Sequence, residues 1–493
     1  MKKWTILLLT ALLLLQTACS DTPRLSVEEL TERSELQVEE NLDQQEDFPA
    51  ERPEFTEPIQ EEKSETKEEI EAEDPPVEAE KNEEPSVEPI TPPTVQQPIT
   101  QEPIQPIEPE PPLQEENTEQ PPEQRPVTQK EIRAVWFSYF EFQTMLQGKT
   151  EHAFTKNISA AFDNVTAMGL NTVIVQVRPY ADAIYPSEYF PWSYLAAGVE
   201  GEAPGFDPLK IMVREAHNRG LQIEAWINPY RIRNTNYNKE LSSGNVVHSY
   251  LKTGDAIEYG GGIYFDPASK KAQKLITDGV REIVENYGVD GIHFDDYFYP
   301  TTDEAFDKDS YAAYKESGGK LSLADWRRQN VNELVLAVYQ TIHQADDTLR
   351  FGISPQGNLE NNYNKQFIDV ALWLSQPGYV DYICPQIYFG FENETSPYKE
   401  TVKAWNSLIR LSSVDLLIGL APYKVGVEDT WAGEGKNEWK QNSDLLSRMV
   451  ETAREEESYE GFVLFRYDSV FLPSTSVQSQ MNKEMNNLKE VLK

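Results

Sequence analysis

The chain has 493 residues, with 83 Asp and Glu against 44 Lys and Arg, a formal net charge of -39 and two cysteines. An acidity of this size argues against a nucleic-acid partner, whose phosphates it repels. Two cysteines cannot build a disulfide framework, so stability must come from a hydrophobic core.

The first residues, MKKWTILLLTALLLLQTACS, place two lysines before an apolar run and end it on Ala18 and Cys19. This is the pattern of a secretory signal, too short to span a bilayer comfortably. Thr17-Ala18-Cys19 resembles a bacterial lipobox, with Gln16 where that motif usually has Leu. The expectation is a signal peptide over 1–18, a lipidated Cys19 and a membrane anchor. Residues 20–130 hold 33 acids, 8 bases and 19 of the chain's 33 prolines, with Phe48 and Phe55 as their only aromatics. Such a segment buries too little apolar surface to offset its ordering entropy, so 19–130 is expected to be a disordered acidic tether.

Residues 131–493 read as the folded domain, with 50 acids against 34 bases. Eight short apolar runs recur there: IRAVWF (132–137), NTVIVQV (171–177), LQIEAWI (221–227), DGIHFD (290–295), RFGIS (350–354), VDYICPQIY (380–388), DLLIGLAP (415–422) and EGFVLFR (460–466). Their near-continuous hydrophobicity suits strands covered on both faces. Helical patterns lie between them, and Gly169, Gly220 and Gly288 stand where helices should stop. Eight strand-helix units predict an α/β fold, a (β/α)8 TIM-type barrel with enlarged loops; an open doubly wound sheet is the alternative. No Gly-rich dinucleotide or phosphate loop opens any of the helices, and no cofactor is expected. Cys384, in an apolar run without basic neighbours, reads as a buried small hydrophobe.

A barrel of this kind builds its active site at the C-terminal ends of the strands. Those ends carry Gln176, Arg178, Tyr180 and Asp182 after strand two, Trp226, Asn228, Tyr230 and Arg231 after strand three, and His293, Asp295 and Asp296 after strand four. Gln386 and Tyr388 end strand six, and Arg466 ends strand eight. Aromatic faces beside amides, carboxylates and arginine suit a sugar, whose ring faces stack and whose hydroxyls take hydrogen bonds. Arg178 has an equally simple role balancing a strand-end carboxylate, and Glu224, deeper in strand three, reads as a buried structural partner. Five histidines without an HxxxH or HxH spacing predict no catalytic metal.

The phrases VQVRPYADAIYPSEYFPWS, FDPLKIMVREAHNRGLQIEAWINPYR, DGIHFDDYFYP and GFVLFRYD resemble the glycosyl hydrolase-like family 10 of bacterial cell-envelope lipoproteins. The resemblance implies a (β/α)8 glycosidase fold and includes an enzyme that cuts peptide-free, or denuded, peptidoglycan strands. It therefore implies a peptidoglycan partner and an extracytoplasmic place in the cell envelope. Adjacent acids at the end of strand four also resemble the paired carboxylates of substrate-assisted N-acetylhexosaminidases. There the first acid orients the substrate's own acetamido group and the second protonates the leaving oxygen. Gln386-Ile387-Tyr388 is similar to the Q-x-Y of chitinase-like barrels, whereas the chitinase DxxDxDxE pattern is absent: His293 and Tyr297 stand at two of its acidic positions.

Neighbouring acids resist joint ionisation, so Asp295 and Asp296 fit a task in which one is ionised and the other protonated. A conventional two-carboxylate glycosidase needs acids about 5 to 9 Å apart, which sequence neighbours seldom provide. Two alternatives stay open. Asp295 could be a nucleophile served by a loop acid among Asp182, Glu360, Glu392, Glu394 and Asp468, or the pair could be structural, held by Arg178 or Lys424. At the level of function, the alternatives to a glycosidase of N-acetylated glycans are a non-catalytic wall-binding lipoprotein and an exported α-glucan hydrolase.

Overall fold

The structure, a computed structural model, describes residues 131–234 and 240–493. The signal segment, Cys19 and the acidic tether fall outside the described residues. Among the described residues no helix is long and apolar enough to cross a membrane.

Eight parallel strands close a barrel: β1 (Ile132–Phe137), β2 (Thr172–Arg178), β3 (Gln222–Ile227), β7 (Gly291–Phe294), β8 (Arg350–Ile353), β9 (Tyr382–Ile383), β10 (Asp415–Leu420) and β11 (Tyr459–Leu464). The order around the barrel is β1-β11-β10-β9-β8-β7-β3-β2, so β1 pairs with both β2 and β11 and leaves no open edge. This is the (β/α)8 barrel, not the open sheet. Between β3 and β7 the chain adds an antiparallel meander of β4 (Arg231–Arg233), β5 (Ala256–Tyr259) and β6 (Gly262–Phe265), in the order β4-β6-β5.

The strand alternation sorts side chains into two layers. Ala134, Trp136, Ile174, Trp226, Tyr382, Cys384, Leu417 and Val463 fill the barrel interior. Val135, Phe137, Val173, Val175, Ile223 and Ala225 face outward into the larger core under the helices. Cys384 is buried and free, and burial raises its thiol well above its ordinary range. Interior space is tight: a Cβ on Gly352 would overlap the ring of Tyr382, and one on Gly419 would lie 3.2 Å from Trp136. Glycine there admits a large ring from another strand.

The outer helices include α1 (Tyr139–Met145), α2 (Glu151–Met168), α3 (Pro208–His217), α4 (Lys270–Asn286), α5 (Leu323–Ala345), α6 (Tyr398–Leu408), α7 (Leu445–Ala453) and α8 (Gln478–Val491). Their starts follow capping chemistry. Thr150, Asp207, Ser269 and Ser322 each accept a backbone N–H of the first turn, and Pro208 fits the position after its cap. Gly169 ends α2 in the left-handed region at φ 87°, as its position suggests. Gly288 does not act this way, because α4 already stops at Tyr287 in an extended conformation.

Two strands depart from simple expectation. In the β2-β3 ladder Gln176 is opposite Trp226 but Arg178 is opposite Ile227, so a bulge at Val177 breaks the alternation. The sixth barrel strand pairs as a strand only over Tyr382–Ile383, because Pro385 cannot donate to a ladder; pairing resumes with single bridges from Gln386 to Gln356 and Gly419.

Candidate active site

A pocket of about 450 Å³, counting its open mouth, lies at the C-terminal ends of the barrel strands. Its floor and walls are Trp136, Gln176, Trp226, His293, Asp295, Asp296, Gln386 and Tyr388, with Arg231 from the meander and Phe465 after β11.

Asp295 and Asp296 follow β7 directly, and both are buried. Trp226 Nε1 donates to Asp295 Oδ2 at 3.0 Å, and the backbone N–H of Tyr297 donates to Oδ1 at 3.3 Å. Asp296 turns the other way: Gln386 Nε2 donates to its Oδ1 at 3.3 Å and also to the carbonyl of Ser354 at 3.0 Å. Burial, then the charge of Asp296, raises Asp295 far above the usual carboxylate range, with Arg231 and Trp226 opposing. Burial likewise raises Asp296, opposed by the amides of Gln356, Gln386 and Gln366. Burial and mutual repulsion therefore both disfavour ionising the two acids together. Among the described residues they are the only carboxylates lining the pocket.

Beneath the pair runs a buried chain of hydrogen bonds. Trp136 Nε1 donates to His293 Nε2 at 3.1 Å, which leaves the ring proton on Nδ1, 2.8 Å from Tyr382 Oη. Tyr382 in turn donates to Glu224. Burial pushes His293 down to about 3, so its imidazole is neutral. Burial pushes Glu224 up to about 7, with Arg350 opposing. His293 thus borders the pocket with both nitrogens engaged, and Glu224 is the buried partner its depth in β3 suggests.

Of the residues named from the sequence, Gln176, Trp226, Arg231, His293, Asp295, Asp296, Gln386 and Tyr388 line this one pocket. The remaining residues lie around them. Asn228 Oδ1 accepts from Gln176 Nε2 at 2.8 Å and so stands behind the wall. Tyr180 lies beside the Arg231 guanidinium and Tyr139, while Tyr230 packs on Phe298. The β2 bulge sends Arg178 to the outer layer, 3.8 Å over the Phe190 ring and against Gly279 of α4. Asp182 is buried outside the pocket, where burial raises it to about 7. Arg466 pairs with Glu141 at 2.5 Å and Asp468 at 3.5 Å, bracing the start of α1. Neither Arg178 nor Lys424 forms an ion pair with Asp295 or Asp296; Lys424 pairs with Asp429 at 2.8 Å.

Sequence reading passes over the end of β1. Trp136, Ser138, Tyr139 and Phe140 line the pocket, and so does Tyr297 after the acid pair. The signal was available: VWFSYF ends a strand, and Ser138 with Glu141 forms a capping box that turns the chain across the barrel mouth.

Likeness to solved structures is distant. The catalytic domain of a beta-amylase from Paenibacillus polymyxa aligns with 74% of this chain and 100% of its own, at 11% identity and a TM-score of 0.48. The PgaB (BpsB) glycoside hydrolase domain from Bordetella bronchiseptica covers 72% of this chain and 99% of its own, at 11% identity and 0.45. Relatives by sequence are closer. Glycosyl hydrolase YngK of Bacillus subtilis is 36% identical over 317 residues, 60% of this chain and 61% of YngK, so the chain spans about three-fifths of that relative. Glycosyl hydrolase DigH of Escherichia coli K12 is 36% identical over 339 residues, 64% of this chain and 75% of DigH. A model of the glycosyl hydrolase-like 10 family matches residues 131–455, two-thirds of the chain, and the protein belongs to that family.

Proposed function

We propose that the protein is a glycosidase of N-acetylated glycan strands, acting on denuded peptidoglycan by a substrate-assisted route. The observation that carries this reading is the buried Asp295-Asp296 pair in an aromatic pocket that no third described carboxylate lines. A mechanism with a protein nucleophile opposite a separate acid needs two carboxylates across the bond. A substrate that supplies its own nucleophile needs only the pair.

The pair's shared proton sets the sequence of events. A bound acetamido N–H donates best to an ionised carboxylate, so substrate against Asp295 leaves the proton on Asp296. The acetamido carbonyl oxygen attacks the anomeric carbon as the bond to the leaving oxygen breaks, and Asp296 gives that oxygen its proton. The resulting cyclic oxazolinium is balanced by ionised Asp295. Asp296, now ionised, takes a proton from water as its oxygen opens the ring at the anomeric carbon, and the pair returns to its starting charge. Trp226 and Tyr388 offer the aromatic faces against which a sugar ring stacks.

The N-terminal pattern supports an exported lipoprotein held to a membrane through Cys19, with the acidic segment as tether to the wall. The test is mass spectrometry of products from denuded and peptide-bearing strands, with Asp296→Asn as control. Fragments from the active protein alone support the reading. Tight binding without product, by both proteins, replaces it with a glycan-binding role.

A further inference from the structure

Arg231 is the only cation lining the pocket among the described residues. It is buried, yet no carboxylate pairs with it within ion-pair distance among the described residues, whereas buried Arg327 holds Asp307 at 2.6 Å. Its guanidinium lies 3.9 Å over the Tyr297 ring and 4.9 Å over that of Tyr180. Its Nε donates to the carbonyl of Pro179 at 3.3 Å. The flat faces and the inner edge are therefore fixed, and no hydrogen bond from the terminal Nη1 or Nη2 is formed to a described residue. The charge of Asp295 acts on this cation from the same pocket, and the planar guanidinium edge matches a carboxylate with two parallel hydrogen bonds.

We infer that Arg231 reads a free carboxylate on the sugar bound at Asp295, the 3-O-lactyl group of a muramyl residue. This rests on the proposed function and deepens it. Acetamido and lactyl groups stand on adjacent ring carbons, and Asp295 and Arg231 line the same pocket. In peptide-bearing strands the lactyl carbonyl is an amide and carries no charge. Cutting the peptide away releases the carboxylate. Preference for denuded strands is then a recognition of charge, and an amide-cleaving reaction must act first to supply the substrate.

The test uses the full chain in detergent with three substrates: denuded strands, the same strands with lactyl carboxylates converted to primary amides, and a neutral N-acetylglucosamine oligomer. The primary amide has nearly the carboxylate's shape, so only charge differs. The expected kcat/KM for the free acid exceeds that for the amide by about tenfold to a hundredfold, the scale of a charge-assisted hydrogen bond. Arg231→Gln abolishes that ratio and Arg231→Lys keeps part of it. Because any effect of Arg231 on Asp295 acts on both substrates, the ratio isolates recognition. Equal rates on acid and amide with the unaltered protein overturn the inference alone, even if Arg231→Gln does not fold. So does an Arg231→Gln protein that keeps the preference. No cleavage of any substrate overturns the proposed function and this inference with it.

Discussion

Trp226 and Asp295, from neighbouring barrel strands, meet through one bond, indole Nε1 to Oδ2 at 3.0 Å, and that bond favours the ionised acid. Trp226→Phe keeps the aromatic face and removes the donor. Loss of a hydrogen bond to a charged group costs about 1.5 to 3 kcal/mol, so kcat should fall about tenfold to a hundredfold. Asp295 becomes harder to ionise, so the acidic limb of the pH-rate profile should move upward. An unmoved limb in steady-state kinetics would show that Trp226 does not tune the acid.

The two acids should separate by leaving group. Asp296→Asn removes the proton donor, and general acid catalysis contributes about 10² to 10⁴-fold. A nitrophenyl glycoside leaves without protonation and should restore much of the activity of Asp296→Asn, but none of that of Asp295→Asn. Equal rescue of both variants would make the roles interchangeable and refute the assignment.

Glu224 gives a stability prediction with a defined sign. Its folded-state value, about 7, lies above the ordinary 4.5, so the folded protein binds more protons between these values and loses stability as pH rises through them. The effect is on the order of 3 kcal/mol. Glu224→Gln, which can still accept from Tyr382, should flatten the dependence and gain stability at pH 8, read as the urea midpoint at pH 5 and 8.

His293 offers a contrast between one lost bond and two. Trp136→Phe removes only the donor to Nε2. His293→Leu strands the Trp136 indole N–H in the barrel interior and also removes the donor to the Tyr382 hydroxyl, which keeps its own bond to Glu224. An unpaired buried group costs about 1 to 3 kcal/mol and the second lost bond adds to it, so His293→Leu should lower the denaturant midpoint more than Trp136→Phe does.

How much of this was legible in the sequence follows from what each strand does locally. β1 coincides with its apolar run, and the acid pair at the end of β7 stands out because two like charges close a buried strand. Arg178 misled because alternation assumes an unbroken ladder, and the bulge at Val177 is decided by pairing with β3. The sixth strand read too long because hydrophobicity does not register Pro385's missing donor. Arg231 was legible as a strand-end residue, but the meander that fixes it pairs β4 with β6 about thirty residues later, and no local pattern announces that contact.

Gly352 and Tyr382 occupy adjacent strands and share one volume of the barrel interior. Neither position can drift alone: a side chain at 352 requires a smaller residue at 382, and that change releases the hydroxyl that joins His293 to Glu224. Any descendant that alters the floor of this barrel must therefore change at least two strands together, which ties the histories of these positions to each other.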